Sequence, residues 1–417
     1  MKVLVIAYAC EPEKGSEPGV GWNWVRFLSK ELSVTVITRK NNKELIEKNK
    51  QNVGNVRFIY YDLPRLLMFW KRGRRGMVFY NFLWQLKVAM LTRKLLKKEK
   101  FDLIHHLTFG NILLPIFTPF FVKIPVVWGP LGGVERIDIS FLRSVSLWGK
   151  INYFLKRLYA MMWRVNPLFI GCLKRVLLIL CKTKDTLNYI PYRFRKKAYL
   201  FPDIGWEANL SNNSSSVISE SIDGINDFIL VVGDLTYWRG VDIVIRAHEI
   251  LVKKFNILKK LVIVGDGVER KKLVSLTKRL GLNEMIYFTG SLRREEYLRY
   301  LKSCDICVNP SLKEGGVTFI IDAITLNKPI VYLNTGTITN FIKGFCGVGV
   351  EVSNYTKTIS ELAHKIKECL ERLENKEYCY DTCLCRERIA DLSWEIKVSK
   401  IKSLYRKLLH YEHPNHP

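Results

Sequence analysis

The sequence predicts an α/β protein made of two Rossmann-like domains with a cleft between them. Three observations carry this prediction. The chain has 417 residues, more than a single hydrophobic core usually serves. Two sets of short, nearly continuous apolar runs alternate with helical segments, the pattern of parallel sheets covered on both faces. A polar, Ser/Asn-rich stretch, EANLSNNSSSVISESIDGIND, stands between the two sets and reads as a linker.

The elements follow in order. MKVLVIAYACEP reads as a first parallel strand and not as a signal peptide. Its apolar stretch is short, runs into the charged turn EPEKGSE, and has no small-residue cleavage site. VTVIT, VRFIYYDL, DLIHHLT, PVVWGP and VLLILC continue the first strand set. GWNWVRFLSKEL and NFLWQLKVAMLTRKLLKKEK supply helices. FILVVGD, KLVIVGDG, MIYFTG, ICVNPS, PIVYLN and GVGVEV form the second set, and RERIADLSWEIKVSKIKSLYRKLL reads as one long amphipathic helix. The expected division is 1–205, a linker 206–225, a second domain 226–388, and a closing helix and tail 389–417. No run reaches the length of a membrane span; NILLPIFTPFFV (Asn111–Val122) is short and broken by prolines.

Lys and Arg number 66 against 39 Asp and Glu, a formal charge of +27. Such a balance favours anionic partners without choosing among nucleic acid, acidic membrane and phosphorylated substrate. No recognised RNA or DNA module is present, which argues against nucleic acid. Arg65 to Lys100 holds eleven Lys/Arg against one acid, Glu99, interleaved with aromatic and aliphatic residues. That stretch suits either an interfacial patch on an anionic bilayer or a buried helix with a solvated basic face. The ten cysteines lack accompanying histidines and read as reduced cytosolic thiols, with no metal site.

In doubly wound sheets ligands sit at the carboxyl ends of the strands, so the loops after each strand are the candidates for chemistry. EPEKGSEPGVGWNW follows the first strand and presents Gly15, Ser16 and Glu17, with Glu17 at the loop tip. LIHHLT ends the fourth with His105 and His106; alternation sends one into the sheet packing and leaves the other to face the cleft. GDLTYWRG, Gly233 to Gly240, carries an acid, Asp234, and a base, Arg239, where a strand turns into a helix, a place suited to an anion. In VGDGVERKKL, Gly265 can line the cleft while Asp266 reads as a helix cap. NPSLKEGGVTFIIDAIT presents Glu314, then Gly315, Gly316 and Val317 opening a helix that carries Asp322. The eight-residue step from Glu314 to Asp322 is a little over two helical turns, so both share one face. The pair fits binding of sugar hydroxyls beside a phosphate at the helix N-terminus, or capping by Glu314 with a solvated Asp322.

Taken together, ACEPEKGSEPGVGWNW, HHLTFG, PVVWGPLGG, GDLTYWRGVDIVIRA, LVIVGDGVERKKL, YFTGSL and EGGVTFIID resemble the retaining GT-B glycosyltransferases of family four, over nearly the whole chain. The resemblance implies a GT-B fold whose closing helix, ERIADLSWEIKV, crosses back to the N-terminal domain. It implies that Glu314 contacts the donor sugar as the first acid of an E-x7-E motif, and that Asp322 grips the ribose hydroxyls as the second. Arg239 stands where a Lys usually binds the donor diphosphate, and the Gly15–Ser16–Glu17 loop where the N-domain loop closes over donor phosphate and acceptor. Four departures stand out. Asp234 replaces an Arg, Asp322 replaces a Glu, Thr335–Thr337 (TGT) replaces a glycine pair, and VVWGPLGG offers no histidine. The implied activity is transfer of a sugar from a nucleotide sugar, with retention, to an oligosaccharide or lipid-linked acceptor in bacterial surface polysaccharide or glycolipid synthesis. It needs no metal or other cofactor, and is placed in the cytoplasm, peripheral on the inner face of the membrane. The alternative is a degenerate GT-B protein, altered at Asp234 and Asp322, that serves as a non-catalytic binding or scaffold subunit.

Overall fold

The computed structural model describes residues 1–14, 16–64, 76–207, 227–313, 317–336, 339, 342–377 and 381–412, with backbone only for Ser16, Ser144, Val317, Thr382, Cys383, His410, Tyr411 and Glu412. The chain divides into two compact units. Unit one comprises Met1–Val134, Tyr153–Gly205 and Trp394–Pro417; unit two comprises Glu135–Asn152 and Trp206–Ser393.

Unit one is built on a seven-stranded parallel sheet: β1 (Lys2–Ala7), β2 (Ser33–Arg39), β3 (Val56–Tyr61), β4 (Leu103–Thr108), β5 (Val126–Leu131), β6 (Leu178–Cys181) and β7 (Ala198–Leu200). Their order is β3-β2-β1-β4-β5-β6-β7, so the winding reverses between β1 and β4. The central strands are buried on both faces, which is why VLVIA and LIHHLT read as continuous rather than alternating runs. The helices are α1 (Ser16–Glu31), α2 (Lys43–Lys48), α3 (Met77–Leu96), α4 (Thr118–Phe121), α5 (Leu147–Val165), α6 (Pro167–Arg175) and α7 (Lys184–Tyr189). Of these, α5 begins in the Glu135–Asn152 segment and continues in unit one. Local sequence sets several starts. The Asn166 side chain accepts from Leu168 N with Pro167 at the first helical position, and the Thr183 side chain accepts from Thr186 N.

Unit two repeats the scheme with six parallel strands: β8 (Phe228–Val232), β9 (Lys260–Val264), β10 (Ile286–Gly290), β11 (Ile306–Asn309), β12 (Ile330–Leu333) and β13 (Val348–Val350), ordered β10-β9-β8-β11-β12-β13. Its helices are α8 (Val241–Phe255), α9 (Arg270–Arg279), α10 (Arg294–Ser303), α11 (Val317–Thr325), α12 (Tyr355–Glu374) and α13 (Thr382–Ala390). Here the winding reverses between β8 and β11, directing attention to the loops after those two strands. Among the described residues no helix is long and apolar enough to cross a membrane.

Two expectations need correction. The C-terminal stretch is not one helix: α13 stops at Ala390, and a separate α14 (Trp394–Glu412) packs on α1 in unit one. Turn bonds Leu392 N to Ile389 O and Ser393 N to Ala390 O mark the break, where the chain passes from one unit to the other. The second half thus does return to the N-terminal unit, with buried Trp394, Val398, Ile401 and Tyr405 entering that core. The cysteines are not all reduced either. Cys346 and Cys385 form a disulfide, their Cα atoms 5.1 Å apart, joining the Cys346 region to α13. Cys10, Cys172, Cys181, Cys304 and Cys307 are free and buried.

Candidate functional site

In unit two the loop after β8 is locked in place by close backbone contact. A Cβ on Gly265 would stand 2.0 Å from Gly233 O, and one on Gly240 would stand 2.2 Å from Pro310 O. Gly240 also has φ +65, a conformation open to glycine at no steric cost. Leu235 N donates to Asp266 O and Leu312 N donates to Trp238 O, so GDLTYWRG is stitched to the loops following both β9 and β11.

Arg239 lies within this frame. Its side chain runs past Gly233, where a Cβ would be 3.7 Å from Nε, and Nη1 reaches Ser311 Oγ at 3.5 Å. Burial lowers its pKa from the usual guanidinium range, and the nearby Asp234 carboxylate works in the opposite direction. Among the described residues its buried Nε has no hydrogen-bond partner. Asp234 itself is exposed. The substitution of acid for base therefore supplies a counter-charge to a desolvated guanidinium that is held ready to donate.

Asp322 sits on α11 and is only 4% exposed, which overturns the solvated reading. Arg294, at the start of α10, grips it with Nη1–Oδ2 at 2.5 Å and Nη2–Oδ1 at 2.8 Å; Tyr297 Oη donates to Oδ2 at 2.8 Å. Three of about four acceptor positions on the carboxylate are thus taken. The expected ribose contact has at most one Asp322 position left, with the Arg294 guanidinium, partly exposed at 44%, beside it. Neither Arg294 nor Tyr297 was signalled by a motif. Their i, i+3 spacing on a helix start is the one sequence trace of the arrangement.

Gly15, Glu314, Gly315, Gly316 and Thr337 lie outside the described residues, as does Arg65–Arg75 of the basic stretch. Val317 is the first residue of α11. Asp266 is not the cap of α9: the helix begins four residues later, and Asp266 Oδ1 accepts instead from Gly267 N at 2.7 Å.

In unit one Glu17 is not at an exposed tip. It lies in the first turn of α1 and points inward, accepting from Gly110 N at 2.5 Å after β4. Burial raises its pKa, against the lowering influence of Lys182 and of that backbone bond. Lys182 pairs with Asp203 at 2.7 Å, and these three residues line one small cavity with Val20, Leu107, Thr108 and Pro130. Gly19 and Gly21 answer to packing, since Cβ atoms there would meet Lys14 O at 1.9 Å and Ala9 O at 2.1 Å.

The expectation that one of His105 and His106 faces open space fails, because the sheet is covered on both sides and alternation sends neither to solvent. His105 bonds Gly129 O through Nε2 at 2.7 Å and Tyr405 Oη through Nδ1 at 2.6 Å, tying β4 to α14. Burial pushes its pKa down to about 4 and that of His106 down to about 3, so both are neutral core groups. A further buried cation was missed by the sequence reading. Lys397 Nζ donates to Pro202 O and Ile204 O, packed among Trp24, Phe201 and Trp394, with burial lowering its pKa to about 7. Among the described residues no group of three or more His, Cys, Asp or Glu is placed to hold a metal ion.

Residues 218–381, which carry the Arg239 loop and the Arg294–Asp322 pair, match the model of the family glycosyl transferases group 1. The match covers less than half of the chain and lies within unit two. Among similar curated proteins is an uncharacterized glycosyltransferase of Methanocaldococcus jannaschii, 29% identical over 34% of this chain and 35% of that protein. Another is the N-acetylgalactosamine-N,N'-diacetylbacillosaminyl-diphospho-undecaprenol 4-alpha-N-acetylgalactosaminyltransferase of Campylobacter jejuni, 30% identical over 30% of this chain and 34% of that one. The matched stretches therefore span about a third of these relatives' own length. In fold the likeness extends over nearly the whole chain. An Anabaena protein crystallised with UDP superposes with a TM-score of 0.62 at 16% identity, covering 99% of this chain and 100% of that one. The matched residues thus lie in the second unit of a two-unit, parallel-sheet GT-B architecture, as the sequence predicts.

Proposed function

We propose that this protein is a retaining glycosyltransferase that moves a sugar from a nucleotide-sugar donor to a lipid-linked glycan acceptor in bacterial surface polysaccharide or glycolipid synthesis. The observation that carries the reading is Arg239, a desolvated guanidinium whose Nε has no partner among the described residues, held against Gly233 at the winding reversal of unit two. A departing diphosphate needs such a cation, preorganised where negative charge develops. The Campylobacter relative's diphospho-undecaprenol substrate supports the acceptor class, and the UDP of the Anabaena structure supports a nucleotide donor.

In this reading Arg239 and the backbone N–H groups at Gly315, Gly316 and Val317 hold the diphosphate, and Glu314 orients the donor sugar. Gly233 and Gly265 keep the loop close, and Asp322 with Arg294 borders the ribose. The Gly15–Ser16–Glu17 loop serves the acceptor side. The leaving diphosphate itself helps to take the acceptor proton, so the protein acts by positioning and charge stabilisation, with no metal. The enzyme works in the cytoplasm, peripheral on the membrane's inner face. A second reading, a non-catalytic scaffold subunit, draws on Asp322, whose carboxylate is already largely satisfied within the protein.

The test is donor consumption by the purified chain across UDP-, GDP- and ADP-sugars, with and without lipid extract. Release of one nucleoside diphosphate, lost in Glu314→Ala and Arg239→Ala, is the expected result. No turnover and no nucleotide binding by calorimetry would leave the scaffold reading.

A further inference from the structure

The helix α5 carries an exposed apolar face that packing among the described residues does not use. Its inner side is fixed by two hydrogen bonds, Tyr159 Oη to Leu113 O and Trp163 Nε1 to Ile112 O, and Arg157 at the border donates Nη1 to Val134 O. Ala160 and Trp163 are buried beneath it. The opposite side presents Phe154 (51% exposed), Leu155 (59%), Leu158 (53%), Met161 (67%), Met162 (64%) and Val165 (75%). At 100° per residue these six fall in an arc of about 120°, a continuous stripe along the helix. Scattered apolar residues on a surface are ordinary, but a contiguous stripe on a rigid helix marks a docking surface.

The charge around the stripe indicates what covers it. Lys150, Arg157 and Arg164 recur every seven residues along one flank. From Ile139 to Lys184 the chain contains no Asp or Glu at all. A helix with a Leu/Met/Phe face, a basic border and no acid matches the interface of an anionic bilayer, where the apolar side enters the acyl boundary and the cations meet lipid phosphates. A protein partner would need an acidic rim to match the same border.

The basic stretch singled out in the sequence fits this task less well. Its described part, α3, turns Tyr80, Trp84 and Val88 into the core and so spends much of its apolar surface on folding.

We infer that α5 is a membrane-docking helix that lies in the plane of an anionic lipid bilayer. This deepens the glycosyltransferase reading, on which the link to a lipid-linked acceptor rests; the helix's own exposure and charge do not depend on it.

Flotation of the full-length protein with phosphatidylcholine vesicles containing about 30% phosphatidylglycerol tests the inference. The wild type is expected to float with these vesicles, weakly with pure phosphatidylcholine, and less at about 0.5 M salt. Leu158→Glu/Met162→Glu replaces two exposed side chains, leaves the circular dichroism melt unchanged, and weakens vesicle binding by at least about tenfold. Val78→Glu, on the exposed part of α3, leaves binding intact. Failure of the wild type to bind, or equal binding by the α5 variant, overturns the inference. So does a concentration-dependent dimer that the α5 variant abolishes, because a second copy would then cover the stripe. UDP calorimetry without vesicles separates the two readings. Nucleotide binding without vesicle binding refutes only the docking helix, and vesicle binding without nucleotide binding or turnover refutes only the transferase.

Discussion

Replacing Arg294 by Met strands Asp322, and the consequence can be worked from the geometry. The carboxylate is 4% exposed, and two of its three hydrogen bonds come from the guanidinium. Removing one partner of a buried ion pair typically costs about 3–5 kcal/mol, because the other charge is left uncompensated. Arg294 is 44% exposed, so water partly replaces it, and a cost of about 2–4 kcal/mol is the discounted figure. Asp322→Asn differs in kind. It removes the buried charge, keeps an acceptor for Tyr297, and lets Arg294 turn to water, at a cost of about 1–2 kcal/mol. Since a domain of this size shifts by about 2–4 °C per kcal/mol, Arg294→Met should lower the unfolding midpoint of unit two by roughly 5–15 °C and Asp322→Asn by clearly less. Calorimetric melts of the wild type, both single variants and Arg294→Met/Asp322→Leu measure all of this. If Arg294→Met is no worse than Asp322→Asn at pH 7, the account of a buried, arginine-dependent carboxylate is wrong.

Two other predictions concern the cores. His105 and His106 have folded pKa values depressed to about 4 and about 3, so the stability they contribute is complete above the ordinary histidine value and is lost as pH falls through it. Each is worth on the order of 3 kcal/mol at the acid end; urea titrations between pH 7 and 4.5 should show stability falling, and less steeply in His106→Leu, whereas parallel curves would contradict the assignment. Cys346→Ser opens a link spanning 39 residues, for which loop entropy gives about 4 kcal/mol; an unchanged melt in the variant, or thiol labelling of Cys346 in the unreduced unfolded chain, would argue against the bond.

Much of the architecture is legible in the residues. VLVIA, LIHHLT, FILVV and LVIV announce buried parallel strands because both faces of such a sheet are covered and no polar alternation is tolerated. The glycines of GDLTYWRG and VGDG announce close backbone approach, and the structure shows Gly265 against Gly233 O and Gly240 against Pro310 O. Arg239 was readable from the same loop. The inward turn of Glu17 and the closure of both histidines were not, because alternation along a strand says which face a side chain takes but not whether another layer covers it.

What the sequence by itself determined is therefore the local order: strand, turn and helix, two parallel-sheet units, and the loops at the carboxyl ends of the strands. Tertiary structure alone decided which distant groups meet. Arg294 and Tyr297 reach Asp322 across 28 and 25 residues, Lys397 reaches the carbonyls of Pro202 and Ile204, and Cys346 reaches Cys385. It also decided that one face of α5 was left exposed among the described residues. Local pattern follows from backbone sterics and the period of each element, and so is written in adjacent residues. The pairing of charges and the exposure of a face depend on what packing brings alongside, which no single segment encodes.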